Sequence, residues 1–535
     1  MPPAERKLAV RALTHPVAAA FGLANLYLLA LTGPLFGSGH ALIYHLTGSA
    51  SVIFIPVLVY LLVLWVLLTV ILVAIQRTER LRRAVWAAAI LVLPWSLLKT
   101  CAGFFEFDVP HWVRFLIWLT ALILFVLIVA RQGAVRRAFD AALPLLSTIL
   151  GVFALCGVAI FAELLWFGWQ SRDLNPSPPL HRAEADPGPP RHRIIWIVLD
   201  ELSYQQVYEQ RFPGLALPAF DRLAAQSTVF TNVVPDGKYT RQVMPSLFTG
   251  IPVDGISVSG AGLLTRLHDP AIGKWKAFDP HQTVFEDALD RGYSTGIAGW
   301  YNPYCRMMPQ VLDHCYWTYG EDTPAYLSPD GSATSNLTLP FHRIALTLRH
   351  RFNRGTGPPT EEQLDIHMHA DDYRDLLNAG DTFLKDPSIT FLLLHMPVPH
   401  PIGFYNRRTG TVALKHTSYI DNLALADQYL GHVEALLERD GQWDKDTVVV
   451  MGDHSWRTSL IWDHSAGWTP EDRAASHGGQ FDPRPAYIVK LPNQHAGERI
   501  DGRYLALRTR AMFDAMLDGR LETPAQLRQW VPGKL

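Results

Sequence analysis

The chain has 535 residues, with 47 Lys+Arg against 49 Asp+Glu and a formal net charge of −2, so it is too long for one ordinary domain and lacks the basic excess of a nucleic-acid surface. Its 4 cysteines exclude a disulfide-framework protein, and none forms a C-x-x-C pair, so any metal must sit on histidines and carboxylates. The 49% hydrophobic content hides two unlike halves.

Five apolar runs come first, at approximately 15–36, 51–75, 84–103, 112–130 and 143–168. Each approaches the ~20 residues needed to cross a ~30 Å hydrocarbon core. The third is the weakest, with Pro94 inside it and Lys99 near its end. Arg6, Lys7 and Arg11 precede the first run, Arg77, Arg80, Arg82 and Arg83 follow the second, and Arg131, Arg136 and Arg137 follow the fourth. The positive-inside rule puts these loops in the cytoplasm. The alternate loops agree: 37–50 has no Lys or Arg, and 104–111 carries Glu106 and Asp108. An odd number of spans then leaves the rest of the chain outside. The expectation is an all-α transmembrane domain of five helices over 1–170, followed by a proline-rich linker over 171–192 (N-P-S-P-P, D-P-G-P-P). An extracytoplasmic domain fills 193–535, where Cys305 and Cys315 face an oxidising compartment and could close a short loop.

From Arg193 onward short apolar runs alternate with amphipathic segments, the pattern of an α/β domain with a mostly parallel sheet. Strands are predicted at Ile194–Leu199, Thr295–Ala298, Ile389–Leu394, Thr447–Met451 and Ala486–Lys490. Helices are predicted at Pro218–Gln226, Thr283–Arg291 and Tyr419–Glu438, the last carrying Asp421 and Asp427 for packing and solvation. Such sheets bind ligands beyond the carboxyl ends of their strands.

Two of those ends are rich in metal ligands. I-I-W-I-V-L runs into Asp200 and Glu201, and T-V-V-V-M-G runs into Asp453 and His454. Oxygen plus imidazole ligation favours Zn2+ or Mn2+ over calcium. Either pair alone also reads as turn and helix-cap residues. A third element, D-G-K-Y-T-R-Q-V-M-P-S-L-F-T-G at 236–250, reads as a turn feeding a helix with Thr240 in its first turn. A hydroxyl there meets the positive end of the helix dipole, a position that favours an oxyanion and, with a metal alongside, would lower the hydroxyl pKa enough for attack on phosphorus; the alternative is a plain N-cap. Ser246 and Thr249 lie further in, where they bond helix carbonyls or pack.

Asp200 after a strand, then P-A-F-D-R-L-A-A-Q-S-T-V-F-T-N, Thr240 upstream of P-S-L-F-T-G, and M-G-D-H together resemble the alkaline phosphatase and sulfatase superfamily over roughly 193–495. Within it, five spans and an outward C-terminal domain are similar to the phosphoethanolamine transferases of lipid A modification and the lipoteichoic acid synthases. The resemblance implies Thr240 as nucleophile and Thr240, Asp453 and His454 as ligands of one divalent ion. The acidic ligand on the first strand is Asp200 or Glu201, since the transferases commonly carry glutamate there and sulfatases an acidic pair. L-L-H-M-P-V-P-H-P and S-H-G-G-Q resemble the histidine segments of the transferases, which implies substrate roles for His400 and His477 and a structural one for His395.

Sulfatases place Cys or Ser two residues before the proline of C/S-x-P-x-R, whereas Val243 stands there and Leu247 replaces the arginine. The resemblance therefore implies a phosphotransferase rather than a sulfatase. On that resemblance the expected donor is a membrane phospholipid and the expected acceptor an envelope glycan or lipid, and the protein is expected to be a monomer in a bacterial inner membrane with its catalytic domain in the periplasm or outside. Two alternatives stand beside it: a membrane-anchored phosphodiesterase or sulfatase-like hydrolase, and a non-catalytic envelope binding protein.

Overall fold

The computed structural model describes residues 16–29, 44–45, 51–104, 109–130, 133–170, 192–259, 262–320, 333–338, 341, 345, 361–465 and 467–532. It divides into two compact units, Met1–Ile43 with Gly48–Leu174 and Tyr326–Arg349, and Tyr44–Thr47 with Asn175–Ala325 and His350–Leu535.

The first unit is helical: α1 (Pro16–Tyr27), α2 (Ser51–Ala74), α3 (Glu79–Phe104), α4 (His111–Ala130) and α5 (Ala134–Gln170). Among the described residues four helices, α2 to α5, are long and apolar enough to cross a membrane, so the expected count of five is not exact. The twelve described residues of α1 rise only ~18 Å, and the apolar run they belong to continues into 30–36. Residues 30–36 of the first expected span lie outside the described residues, as do Arg6, Lys7, Arg11, Glu106, Asp108, Arg131 and, except for His192, the proline-rich stretch 171–192. Pro94 does not end α3, which begins at Glu79, and α5 begins nine residues earlier than its apolar run.

Ala19, Ala20 and Leu23 of α1 pack with Leu72, Trp86 and Leu150. Gly22 sits directly on the backbone carbonyl of Leu150 with no room for a β-carbon, the close helix approach that small residues permit. Arg83 on α3 is buried and makes a bidentate pair with Asp140 on α5 at 2.8 and 2.9 Å. Elsewhere large apolar side chains such as Val63, Leu67, Trp112 and Leu145 stand bare. A surface of that kind is costly in water and suits hydrocarbon, so these helices mark a membrane protein.

The second unit is built on an eight-stranded sheet: β1 (Ile194–Leu199), β2 (Thr228–Phe230), β3 (Thr295–Trp300), β4 (His314–Thr318), β5 (Phe391–Met396), β6 (Thr447–Met451), β7 (Tyr487–Lys490) and β8 (Glu498–Ile500), in the order β8-β2-β7-β6-β1-β5-β3-β4. Only β7 runs antiparallel to its neighbours. Every residue of β1, β5 and β6 is buried, which is why these strands read as nearly continuous apolar runs, apart from His395 and Thr447, rather than alternating ones. Trp196, Phe248, Phe285, Phe391 and Phe513 pack tilted or edge to face on one side of the sheet. This is the mostly parallel α/β architecture of an alkaline-phosphatase-like domain.

Candidate active site

Strand register places the first ligands. Val198 of β1 pairs with Met451 of β6, so the chain leaves both strands at the same level, into Asp200 on one side and Gly452-Asp453-His454 on the other. Facing them is α6 (Thr240–Thr249). Its N-cap is Tyr239, in extended conformation, and Thr240 is the first helical residue. The Thr240 hydroxyl does not cap the helix. It lies 2.8 Å from Asp453 Oδ2, 3.1 Å from Asp200 Oδ2 and 3.4 Å from His454 Nε2. Ser246 and Thr249 turn back onto the carbonyls of Gln242 and Pro245 at 3.0 and 2.7 Å. Val243 and Leu247 are fully buried in the core.

Two carboxylates with no solvent exposure, side by side, are electrostatically unstable without a cation. Burial, then the Asp453 charge, pushes the Asp200 carboxyl well above its ordinary range. Asp200 Oδ1 is buried with no hydrogen-bond partner among the described residues. Burial, then Arg457, drives His454 down to about 3, which leaves a neutral imidazole free to ligate. One ligand atom from each of Asp200, Asp453 and His454 lies within 4.8 Å of the others. An orphaned carboxylate oxygen, a neutral imidazole and a hydroxyl in reach of all three fit a single divalent cation.

Glu201 does not join Thr240. Its backbone is left-handed, with φ of 63°, and its carboxylate pairs with Arg457 rather than with the Thr240 hydroxyl. The Glu201 carboxylate accepts hydrogen bonds from the Arg457 backbone N–H (3.0 Å), Arg457 Nε (2.6 Å) and Trp462 Nε1 (2.9 and 3.0 Å). Arg457 Nη2 also reaches it and lies 3.4 Å from His400 Nε2. Asp200, Glu201 and His400 also offer converging ligand atoms, but the guanidinium supplies the positive charge beside Glu201 and His400.

His400 packs among the rings of Trp300, His369 and Trp462. Burial, then the neighbouring His369 and Arg457, holds its pKa well below the ordinary value, so it acts as a neutral hydrogen-bonding group. His477 is exposed, with φ of 51°, and among the described residues joins none of the contacts around Thr240. His395 is fully buried, with Nε2 3.5 Å from Asp200 Oδ2 and Nδ1 2.7 Å from the Tyr304 hydroxyl, so it backs the carboxylate directly.

Sequence reasoning missed Arg457, Trp462, Asn302 and Tyr44. Asn302 Nδ2 donates to the Thr240 carbonyl at 3.4 Å, and the Tyr44 hydroxyl donates to Asn302 Oδ1 at 3.1 Å. Arg457, four residues after Asp453, had a signal in that spacing; Tyr44 had none. Cys305 and Cys315 are disulfide-bonded, tying the turn after β3 to β4.

The sulfatase family model matches residues 192–482, more than half of the chain. No protein with a curated description matches. Among solved structures the chain is similar to the phosphonate monoester hydrolase of Agrobacterium radiobacter, at 14% identity over 61% of this chain and 74% of that one, with a TM-score of 0.38. It is also similar to the lipoteichoic acid synthase LtaP from Listeria monocytogenes, at 15% identity over 61% and 72% with a TM-score of 0.36. A third is a Bacteroides thetaiotaomicron structure described under the metabolism of multiple glycosaminoglycans, at 14% over 63% and 79% with a TM-score of 0.41.

Proposed function

The chain belongs to the sulfatase family, and from that premise we propose that it is a phosphotransferase: it moves a phospho-substituent of the phosphoethanolamine or phosphoglycerol type from a membrane phospholipid to an envelope glycan or lipid. A domain of this family is an enzyme domain, a hydrolase or a phosphoryl-transfer catalyst in type. The observation that carries the finer reading is the Thr240 hydroxyl at the start of α6, 2.8 Å from Asp453, while the position where a sulfatase keeps its modifiable residue is Val243, buried in the core.

In the first step Thr240 Oγ attacks the phosphorus of the lipid phosphodiester, the bond from phosphorus to the glycerol oxygen breaks, and that oxygen takes up the proton lost by Thr240, so that diacylglycerol leaves as its alcohol. The Thr240 hydroxyl is directed at Asp453 Oδ2, the first acceptor for that proton. In the second step an acceptor hydroxyl attacks the same phosphorus, the threonine ester bond breaks, and the acceptor's proton returns to Thr240 Oγ. The N-terminus of α6 favours the non-bridging oxygens in both steps. A Zn2+ or Mn2+ ion held by Asp200, Thr240, Asp453 and His454 would lower the pKa of the threonine hydroxyl and draw charge from the phosphate. Asp200 rather than Glu201 is the acidic ligand on this reading, and His400 contributes a neutral hydrogen bond to the substrate side.

The proposed arrangement is a helical anchor over 1–170, a linker over 171–192 and a catalytic half over 193–535, acting as a monomer in a bacterial inner membrane. The catalytic half faces the periplasm or the outside. The deciding assay follows diacylglycerol release from fluorescent phosphatidylethanolamine and phosphatidylglycerol beside a sulfate-ester control. Cleavage of the sulfate ester alone sinks the reading, and release with water as the only acceptor replaces transfer by hydrolysis.

A further inference from the structure

The apolar core of the second unit holds a residue from far outside its own stretch of sequence. Tyr44, between α1 and α2 in the chain, is 2% exposed and packs in the same cluster as β1, β3, β5 and α6. Among the described residues it is the sole member of that cluster to precede Ile194. Polar contacts hold it at both ends. Arg306 Nη1 donates to the Tyr44 carbonyl at 3.0 Å, and the Tyr44 hydroxyl is directed at Asn302 Oδ1 at 3.1 Å, with Met307 Sδ equally close. His45 is buried beside it, its ring 4.6 Å from those of both Tyr301 and Tyr319. Tyr301 holds a left-handed φ of 69°, a conformation that a bulky residue adopts only against strain and that concentrates at functional sites.

The turn that receives this pair, 301–307, follows β3 and is tied to β4 by the Cys305–Cys315 disulfide. It also reaches the nucleophile. Asn302 is fully buried and its Nδ2 lies 3.4 Å from the Thr240 carbonyl. The Tyr44 hydroxyl, the Asn302 amide and the backbone of the first residue of α6 therefore form one row. Packing alone would be served by a phenylalanine at position 44; a hydroxyl aimed at a buried amide that is itself aimed at Thr240 does more. Holding the Thr240 peptide fixes the point from which its hydroxyl reaches Asp453 at 2.8 Å, and reactions of bound groups are sensitive to displacements of that atom by fractions of an ångström.

We propose that Tyr44 and His45 are a plug, contributed by the stretch of chain between the first two apolar helices, that completes the Thr240 site. Tyr44 is a positioning residue acting through Asn302 on the backbone of Thr240, and His45 seats it against Tyr301 and Tyr319. The role of Thr240 as phosphoryl acceptor rests on the phosphotransfer reading; the seating of the plug and its hold on the start of α6 do not. Residues 46–50 alone separate His45 from α2, so chain continuity ties the seating of the plug to the apolar helices.

The test uses the full chain in lipid nanodiscs, with bis-p-nitrophenyl phosphate and p-nitrophenyl sulfate as probes. Tyr44→Phe keeps the ring in the core and removes only the hydroxyl. It is expected to lower kcat about tenfold with KM and melting temperature unchanged, and the double variant with Asn302→Ala is expected to be no slower than Asn302→Ala alone, because both act on one path. Hydrogen exchange supplies a readout independent of turnover: the Gln242 and Val243 amides, bonded to the Tyr239 carbonyl at 2.9 and 3.0 Å in the first turn of α6, should exchange faster in Tyr44→Phe. An unchanged kcat overturns the positioning role whatever the exchange shows. A loss of rate that adds to that of Asn302→Ala, that comes with a lower melting temperature, or that leaves the exchange unchanged also overturns it. The two readings separate by ester. Cleavage of the sulfate ester alone, slowed by Tyr44→Phe, keeps the plug and removes the phosphotransfer reading, whereas phosphodiester cleavage untouched by Tyr44→Phe does the reverse. If the wild type cleaves neither ester, the exchange comparison alone decides the plug.

Discussion

Arg457 closes on Glu201 with its backbone N–H at 3.0 Å and its Nε at 2.6 Å, both groups nearly excluded from solvent. Burial works against the Arg457 charge, but Glu201, Asp200 and Asp453 together outweigh it and raise its pKa. Glu201 is thus a counterion to arginine, while Asp200 is left facing Thr240. Metal analysis of purified variants separates the two acids. Asp200→Asn is expected to lose the bound ion, and Glu201→Gln to keep about one per chain while lowering stability by about 3–5 kcal/mol through the unpaired guanidinium. Retention by Asp200→Asn with loss in Glu201→Gln would reverse the assignment.

Thr240→Ala is expected to abolish turnover, with a fall of at least about a thousandfold, and to leave the fold intact. Tyr239 is the N-cap and the threonine hydroxyl makes no capping bond, so the alanine variant forfeits only side-chain hydrogen bonds, each worth about 1 kcal/mol. Intact-mass analysis after incubation with labelled phospholipid should show an adduct on the wild type and none on the variant. An adduct of equal size on both would move the nucleophile elsewhere.

Much of this site is legible in the sequence because β1 and β6 are buried on both faces. Their uniform apolar runs end abruptly in Asp200 and Asp453, and parallel register does the rest. What stays hidden depends on backbone twist and long-range packing. Two adjacent acids that look equivalent on paper take different partners, Asp200 the Thr240 hydroxyl and Glu201 the Arg457 guanidinium, and Arg457 acquires its meaning only across that turn. Strands β2, β4 and β8 were missed because two are three residues long and β4 carries polar residues and a cysteine at half-buried positions. His395 follows the predicted Ile389–Leu394 run, but the strand reaches Met396, and as the neighbour of β1 it sets the imidazole behind Asp200.

Removal of the divalent ion should cost stability as well as activity. Without it, Asp200 Oδ1 has no partner and the Asp453 charge opposes its ionisation. Thermal unfolding after chelation is expected to begin at a lower temperature and to recover on adding Zn2+ or Mn2+, with the ion at a hundred times its dissociation constant contributing about 2.7 kcal/mol. An unchanged melting curve in chelator, together with metal-free protein by elemental analysis, would exclude a site of this strength.

The last expectation concerns pH and a carboxylate far from the metal ligands in the sequence. Burial, then the nearby Asp287 charge, raises Asp514 to about 6, and Arg291 approaches it only at 3.9 Å while Arg510 pairs with Asp287 at 2.7 Å. A carboxyl whose folded pKa lies above its unfolded value of ~3.9 binds more protons in the native state between those two values. Native stability therefore falls as pH rises from about 4 through 6, and above that the penalty is fully present. Asp514→Asn removes the charge while keeping the shape. It is expected to melt about 1–3 °C above the wild type at pH 7.5 and to match it at pH 4. Because Asp514 faces Arg291, Asp287 and Arg510 and, among the described residues, none of the groups around Thr240, diacylglycerol release by the variant at pH 7.5 should be unchanged. A variant that is less stable than the wild type at pH 7.5, or whose advantage grows on acidification, would show that Arg291 stabilises the Asp514 carboxylate more than Asp287 and burial oppose it.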